Sequence, residues 1–332
     1  MGRVTGAAGT LRIDVHVGDG APRALPEDVL DGLTRPFKEL PPKHLYDARG
    51  AELFDRICEL PEYYPTRTER AILRRDADAI VRRTGMAELV ELGSGTASKT
   101  RVLLDAMERA GTASRYVPFD VAEQTVRDCA AALAEEYPAL DIHGIVGDFE
   151  RHLREIPPPE PGRPRVVAFL GGTIGNFPPG ARRRFLRAIA GLLSAGDYLL
   201  LGTDLVKDID VLEAAYDDTA GVTAEFNRNV LHVLNRELDA DFPIELFEHV
   251  AFFDREHEWI EMRLRARRAC RVRIDSLDLE VDFARGEELR TEISAKFTPA
   301  RLKADYAACG LELAEWFTDD QGLFALSLAA PG

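Results

Sequence analysis

The stretch VELGSGTASKTRVLL, residues 90 to 104, reads as a short buried strand, a glycine-rich turn and the start of a helix. A turn of this kind commonly holds a nucleotide. A dinucleotide-binding turn carries a third glycine, and a phosphate-binding Walker loop ends in Gly-Lys before Ser or Thr. Neither pattern follows Gly93 and Gly95 here. The turn therefore predicts a nucleotide-like ligand and excludes the two common phosphate-binding motifs.

Around this turn, apolar runs alternate with amphipathic helical stretches from about Ala71 to Leu205. The predicted strands are Leu89 to Leu92, Arg115 to Phe119, Ile142 to Val146, Val166 to Leu170 and Tyr198 to Gly202. The predicted helices are Val102 to Ala110, Val121 to Glu136 and Ala181 to Leu193. Strands that alternate with helices of this length pair in parallel, with helices on both faces. The pattern predicts a doubly wound α/β sheet.

The C-terminal segment LELAEWFTDDQGLFALSLA, residues 311 to 329, departs from that rhythm. Two β-prone apolar runs flank Asp-Asp-Gln-Gly, which is a hairpin signal. We expect the mostly parallel sheet to end in an antiparallel pair.

Two other segments differ in residue composition and pattern. They are dense in aromatic and charged residues and contain short alternating runs such as VRIDSLDLEVDF. We expect residues 15–66 and 207–296 to form a second, discontinuous domain that binds the substrate. Residues 67–206 and 297–332 then form the nucleotide-binding domain, and residues 1–14 a flexible N-terminus. A cleft between two domains is a common place for a small-molecule site.

Composition narrows the class of protein. The 332 residues carry 57 acidic and 42 basic side chains, a formal net charge of -15, which argues against a nucleic-acid partner. No run of about 18 apolar residues and no signal-peptide pattern is present, so we predict a cytoplasmic protein without membrane contact. The four cysteines and seven histidines are scattered, which predicts reduced thiols and no metal site.

The ends of the next two predicted strands carry acids. Phe119-Asp120 ends one strand, and Gly147-Asp148-Phe149 follows the other. A carboxylate at the first position can accept hydrogen bonds from ribose hydroxyls, and an acid beside an aromatic ring can bind and stack on adenine. Each acid could instead cap the helix that follows it. Together with the glycine turn they indicate an adenosine pocket without a phosphate clamp, as S-adenosylmethionine requires.

The glycine turn, the acidic strand ends and the terminal hairpin resemble class I S-adenosylmethionine-dependent methyltransferases, which have a Rossmann-like sheet. Several longer segments resemble the histidine-specific Nα-methyltransferases in particular, and the similarity covers nearly the whole chain after about residue 25. These segments are YDARGAELFDRICELPEYYPTRTER (46–70), FLGGTIGNF (169–177), LLLGTDLVKD (199–208), AYDDTAGVTAEFNRNVLHVLNREL (215–238), EWIEMRLRA (258–266) and TEISAKF (291–297). Enzymes of this family make histidine betaine (hercynine) in ergothioneine biosynthesis.

The resemblance implies two sets of binding residues. The cofactor set is Tyr46, Gly93, Lys99, Asp120, Asp148 and Phe149. The histidine set is Tyr63, Asn176, Tyr216, Met262, Glu292 and Ser294. Lys99 is a candidate partner for the cofactor carboxylate, although on sequence grounds it could equally be an exposed helix lysine.

Four residues of the histidine set have side chains whose chemistry suits a free histidine. Asn176 can bridge the amine and carboxylate of a free amino acid, while Tyr216 donates to the carboxylate. Glu292 and Ser294 are two apart on an extended segment and point to one face. If an imidazole lies beside them, the Glu292 carboxylate can accept a hydrogen bond from the ring N–H and the Ser294 hydroxyl can bond the other ring nitrogen.

The resemblance implies an enzyme that methylates the α-amine of free L-histidine three times. We also expect the protein to be a monomer. Asn176 together with Tyr46 or Tyr63 is expected to orient the amine during catalysis. Two alternatives stay open at this point. The same chemistry could act on another free aromatic amino acid or a terminal histidine of a peptide, or the chain could be a catalytically inactive protein that binds the cofactor and an amino acid.

Overall fold

The computed structural model describes residues 9–16 and 25–332. In these ranges the chain forms fourteen strands and nine α-helices. In chain order they are β1 (Leu11–Val15), α1 (Leu25–Leu33), β2 (Lys38–Glu39), α2 (Ala48–Glu59), α3 (Pro65–Thr84), β3 (Glu88–Leu92), α4 (Arg101–Ala110), β4 (Arg115–Asp120), α5 (Glu123–Glu136), β5 (Asp141–Val146), β6 (Arg165–Phe169), α6 (Pro179–Ala190), β7 (Tyr198–Asp204), α7 (Ile209–Ala214), α8 (Val222–Glu237), β8 (Phe247–Asp254), β9 (Trp259–Ala266), β10 (Cys270–Ile274), β11 (Leu279–Phe283), β12 (Glu288–Ala295), α9 (Pro299–Ala307), β13 (Leu311–Thr318) and β14 (Phe324–Pro331).

Eight strands form the main sheet, in the order β1-β5-β4-β3-β6-β7-β14-β13. The first six of these pair in parallel, whereas β14 pairs antiparallel with both β7 and β13. The predicted mostly parallel α/β sheet and its C-terminal hairpin are therefore confirmed. The five predicted strands are all present, with ends that differ by at most two residues.

The main sheet is covered on both faces. All five residues of β3 are buried, as expected for a central strand of a doubly wound sheet. One hydrophobic cluster joins the sheet to α3, α4 and α5, and a second joins it to α6 and α9. The carboxyl ends of β3, β4, β5 and β6 therefore open at one edge between these layers, where a ligand of such a sheet is expected.

The N-terminal segment corrects the expectation of a flexible region over residues 1–14. Leu11–Val15 is an edge strand in parallel with β5, and both the backbone N–H and the hydroxyl of Thr10 donate to Asp141. The alternating pattern of this short run was the signal for a strand, and its pairing with β5 fixes it. Residues 1–8 lie outside the described ranges.

A second sheet, in the order β2-β12-β9-β8, packs against α1, α2 and α8 around its own hydrophobic cluster. The β10–β11 hairpin completes this part of the molecule. Its elements come from residues 25 to 59 and 209 to 295, on either side in sequence of strands β3 to β7 of the main sheet. We retain the division into a nucleotide-binding and a discontinuous substrate-binding domain as a proposal, with α3 on the nucleotide-binding side.

No helix in the described part of the chain combines the length and the apolar character needed to cross a membrane.

Candidate active site

The turn after β3 has a backbone that favours glycine. Gly93 and Gly95 have φ values of 72° and 49°, in the left-handed region that other residues rarely adopt. A Cβ atom on either residue would meet no atom within 4 Å, so the space beside the turn is open. The N–H of Gly95 donates to Asp120 Oδ2 over 2.9 Å, which ties the turn to the end of β4.

The two acids at the strand ends have local roles as well. The second oxygen of Asp120 accepts from the N–H of Ala122 over 3.1 Å. Asp148 Oδ1 accepts from the N–H of Glu150 over 2.8 Å. These contacts lie in turns before the helices, and neither α5 nor the short helix that begins at Leu153 has a side-chain hydrogen bond at its N-cap residue, so the capping alternative is not realised. Each carboxylate oxygen keeps a lone pair for a further donor.

Phe149 lies half-buried on a platform of aromatic rings. Its centroid is 5.4 Å from that of Phe169, 5.6 Å from Phe185 and 6.5 Å from Phe177. These rings support Phe149 from below, so its remaining exposed surface is available for stacking against a flat ligand.

Lys99 is not a free surface lysine. Its Nζ donates to Glu69 Oε2 over 2.5 Å, and the other oxygen of this fully buried carboxylate accepts from the N–H of Gly171 over 2.8 Å. Sequence reasoning did not select Glu69, although it lies in the TRTER end of a segment that carries the family resemblance. The pair leaves two ammonium hydrogens of Lys99 for other acceptors.

These residues fit an adenosine with an amino-acid tail. Open space lies beside Gly93 and Gly95, acceptors stand at Asp120 and Asp148, and a supported ring stands at Phe149. Lys99 supplies a cation that is already balanced by Glu69, which suits the zwitterionic tail of S-adenosylmethionine better than a chain of phosphates.

Five aromatic rings of the second part of the molecule pack against one another. The ring of Tyr46 lies 5.4 Å from Phe54 and 5.3 Å from Phe226, and Phe54 lies 6.1 Å from Tyr63. Tyr63 in turn lies 6.3 Å from Tyr216. Tyr46 is 42% exposed, whereas Tyr63 and Tyr216 are buried, so this aromatic wall runs from the surface inwards.

Glu292 is the unusual group of the site. Its side chain is 92% buried on β12, opposite Met262 of β9, and it has no hydrogen-bond or ion-pair partner among the described residues. Burial raises the pKa of Glu292 to about 7, and the ammonium group of Lys296 opposes that rise. A buried carboxylate without a donor is costly, so a ligand that brings an N–H would be favoured here.

Ser294 belongs to a network that sequence reasoning missed. Its Oγ accepts hydrogen bonds from the hydroxyl of Tyr216 and from Nζ of Lys296, each over 2.8 Å. The proton of Tyr216 that was expected to reach a substrate carboxylate is therefore used on Ser294 in this structure. Lys296 is fully buried and pairs with Asp204 over 2.9 Å. A lone lysine two residues beyond Ser294 gave no sequence signal for this role.

The segment from Phe169 to Phe177 connects the two sets of predicted residues. Phe169 packs under Phe149, and Gly171 is bonded to Glu69. A Cβ on Gly175 would lie 2.8 Å from the backbone oxygen of Ala295, so the turn packs directly on β12. Asn176, half-buried at the end of this turn, is thereby brought beside the strand that carries Glu292 and Ser294.

The strand order, the glycine turn and the acidic strand ends define a class I S-adenosylmethionine-dependent methyltransferase. A model of the histidine-specific, SAM-dependent methyltransferases matches residues 25–331. The chain belongs to this family. It is an enzyme that uses S-adenosylmethionine.

Two bacterial relatives match over nearly their whole length. The chain is 56% identical to a histidine N-alpha-methyltransferase of Mycolicibacterium smegmatis, over 94% of this chain and 96% of the relative. It is 52% identical to one of Mycobacterium tuberculosis, over 96% and 100%. It is also 34% identical, over 63% of its length, to 28% of the larger ergothioneine biosynthesis protein 1 of Schizosaccharomyces pombe.

Proposed function

We propose that this enzyme transfers three methyl groups from S-adenosylmethionine to the α-amine of free L-histidine, giving histidine betaine (hercynine) in the first step of ergothioneine biosynthesis. The names of the full-length relatives and of the yeast relative support this assignment. The observation that carries it is the buried Glu292 carboxylate, which has no hydrogen-bond donor in the described part of the chain and lies near Tyr63 and Tyr216 of the aromatic wall. The imidazole of histidine supplies the missing N–H.

The cofactor residues are proposed as Tyr46, Gly93, Lys99, Asp120, Asp148 and Phe149. When bound, S-adenosylmethionine supplies an electrophilic methyl group on a sulfonium. Asp120 is expected to accept from the ribose, Asp148 and Phe149 to hold the adenine, and Lys99 to meet the carboxylate of the tail. Gly93 allows the backbone to approach the ligand closely.

The substrate residues have separate tasks. Asn176 is proposed to hold the amine and carboxylate of histidine, and Met262 to pack against its ring beside Glu292 and Ser294. Tyr216 shares its hydroxyl between Ser294 and Lys296, and its proton can reach a carboxylate only if it leaves Ser294.

The amine of histidine must lose a proton before each transfer. We propose that hydrogen bonds from Asn176 and from Tyr46 or Tyr63 orient the lone pair and that the proton passes to water, so positioning supplies most of the rate. The transfers end at the trimethylammonium because no lone pair remains. The rings of Tyr63 and Phe54 can stabilise the growing cation.

A different aromatic amino acid is the main competing substrate. A phenyl ring would leave the Glu292 carboxylate buried without a donor, which costs on the order of 1–3 kcal/mol or more. A peptide with N-terminal histidine has no free α-carboxylate for Asn176. Cytoplasmic location, a monomeric state and the absence of nucleic-acid and membrane partners stay predictions.

Methyl transfer from labelled S-adenosylmethionine to a panel of free amino acids tests the proposal. The panel contains histidine, tryptophan, tyrosine and phenylalanine, with an N-terminal histidine peptide as a further acceptor. We expect transfer to free histidine at least about 100-fold above the others in kcat/KM, from the discrimination that a buried polar group provides. Transfer to none of them would favour a binding protein without catalysis.

A further inference from the structure

Lys296 lies fully buried directly behind the proposed imidazole site. Its Nζ donates to Ser294 Oγ over 2.8 Å, to the hydroxyl of Tyr216 over 3.0 Å, and pairs with Asp204 Oδ2 over 2.9 Å. All three ammonium hydrogens are thus used by neighbours on the chain. Lys296 does not itself face the substrate space, so any effect on the reaction passes through the groups it holds.

The hydrogen bonds at Ser294 determine what its hydroxyl can do. An uncharged hydroxyl has one proton and two lone pairs. Both lone pairs of Ser294 are occupied, one by the donor Lys296 and one by the donor Tyr216. Ser294 can therefore only donate to a ligand. Without Lys296, one lone pair would be free and the hydroxyl could accept instead.

The surroundings keep Lys296 charged. Burial disfavours the ammonium, but Asp204 and Tyr216 together outweigh that effect and raise the pKa of Lys296. The other titratable groups around it are Tyr216 and Glu292, and Asp204 is also bonded by Tyr64 and Lys207. Asp204 ends β7 of the main sheet and Lys296 follows β12 of the second sheet, so the pair joins the two parts of the molecule.

We propose that Lys296 is a positioning residue that fixes Ser294 as a donor, and so restricts the pocket to the neutral imidazole whose unprotonated nitrogen faces Ser294 and whose N–H faces Glu292. This inference rests on the proposed function. An imidazolium ion would present a second N–H to a hydroxyl that cannot accept it, with the Lys296 cation directly behind. The network therefore selects both the tautomer and the charge of the substrate ring.

The first test compares KM for histidine in wild type, Lys296→Met, Ser294→Ala and the double variant at pH 8. Lys296→Met is expected to raise KM about 10- to 100-fold, with kcat within about threefold, because the ring and not the amine loses its partner. In the Ser294→Ala background the same change should add less than about threefold, since it acts through Ser294. Full additivity would overturn the inference.

The second test is the pH profile. From pH 8 to pH 5.5, KM of the wild type should rise about tenfold as free histidine, with a side-chain pKa near ~6.5, becomes protonated. In Lys296→Met the rise should be at most about threefold, because Ser294 can then accept from the imidazolium. A general packing defect would raise KM at every pH and leave the ratio of KM at pH 5.5 to KM at pH 8 the same as in wild type. That result would contradict the inference.

Lys207→Met is the matched control. Lys207 also donates to Asp204, over 2.6 Å, but it contacts neither Ser294 nor Tyr216. In Lys207→Met, both KM at pH 8 and the ratio of KM at pH 5.5 to KM at pH 8 should stay within about threefold of wild type. A shift as large as that of Lys296→Met would count against a specific role of Lys296. If Lys296→Met does not fold, Lys296→Met/Asp204→Asn removes both charges together and gives the same readouts.

Different results would overturn the proposed function and the role of Lys296. A folded wild type that binds S-adenosylmethionine but does not methylate histidine would overturn the proposed function. A wild type that methylates histidine, combined with unchanged KM and pH ratio in Lys296→Met, would overturn only the role of Lys296.

Discussion

Lys99 donates a 2.5 Å hydrogen bond to Glu69, a carboxylate with no exposed surface on α3. The second oxygen of Glu69 accepts a hydrogen bond from the N–H of Gly171, just after β6. One buried acid therefore connects the cofactor turn, α3 and the segment that leads to Asn176. The proposed partner of the cofactor tail is held in place before any ligand arrives.

Removing this acid should destabilise the protein. Glu69→Ala leaves Lys99 and the Gly171 N–H without their partner, and breaking a buried ion pair in this way costs about 3–5 kcal/mol in the free energy of unfolding. Asp78→Ala is the control, since it breaks an exposed pair with Arg109 and should cost less than about 1 kcal/mol. Urea unfolding measures both, and equal losses would show that Glu69 is not a structural centre.

Glu292 should make the ligand-free enzyme less stable as pH rises. Burial raises its pKa from 4.5 to about 7, so between these values the folded state binds more protons than the unfolded state. The free energy of unfolding then falls with rising pH across that window and stays low above it.

Glu292→Gln removes this dependence. The variant should be more stable than wild type at pH 8 by on the order of 3 kcal/mol, with the difference vanishing near pH 4. Urea unfolding at the two pH values checks it. Burial also raises the pKa of Glu91 to about 7, but Glu91 contributes the same slope to both proteins. A variant that is no more stable than wild type at pH 8 would show that the buried, ionised Glu292 carboxylate does not destabilise the folded protein.

The same carboxylate should separate histidine binding from cofactor binding. Glu292→Ala is expected to raise KM for histidine about 100-fold, because the imidazole N–H loses a charged acceptor, and to leave the Kd of S-adenosylmethionine within about twofold. Glu288→Ala is the control on the same strand, where the carboxylate pairs with Arg263 and Arg265 instead. Calorimetry gives the cofactor affinity. An equal loss of both affinities would contradict the proposed division of the site.

Asn176 should matter for rate more than for folding. Asn176→Ala is expected to lower kcat/KM for histidine by about 100-fold or more, since a small misplacement of the amine is costly. Asn235→Ala removes an amide that, among the described residues, bonds the backbone of Phe242, so it should cost stability but not kcat/KM. Steady-state kinetics and unfolding of both variants provide the comparison, and similar kcat/KM values would argue against Asn176 as an orienting group.

Most of the fold could be predicted because the sequence patterns that indicate it are local. Alternating strands and helices, a glycine turn with φ > 0 and a hairpin turn each act within a few residues. The strands and the β13–β14 pair were predicted for this reason. The edge strand β1 was missed because its short run of alternation lies far in sequence from β5, its only strand partner in the described sheet.

The missed site residues depend on contacts that the chain makes only when folded. Asp204 and Lys296 come from different sheets, and Glu69 comes from a helix before the glycine turn. Each lies within a segment that carries the family resemblance, but a charged residue there gives no sign of which partner it meets. The bonds that Asp120 and Asp148 accept from the N–H groups of Ala122 and Glu150 lie in local turns, and not at the helix caps that the sequence offered as the alternative.

The most direct test of the central claim is the structure of the product formed from free histidine and excess S-adenosylmethionine. Mass spectrometry should show the addition of three methyl groups, and NMR should place all three on the α-nitrogen with both ring nitrogens unmodified. Methylation of a ring nitrogen, or transfer chiefly to tryptophan or tyrosine in direct competition with histidine, would contradict it.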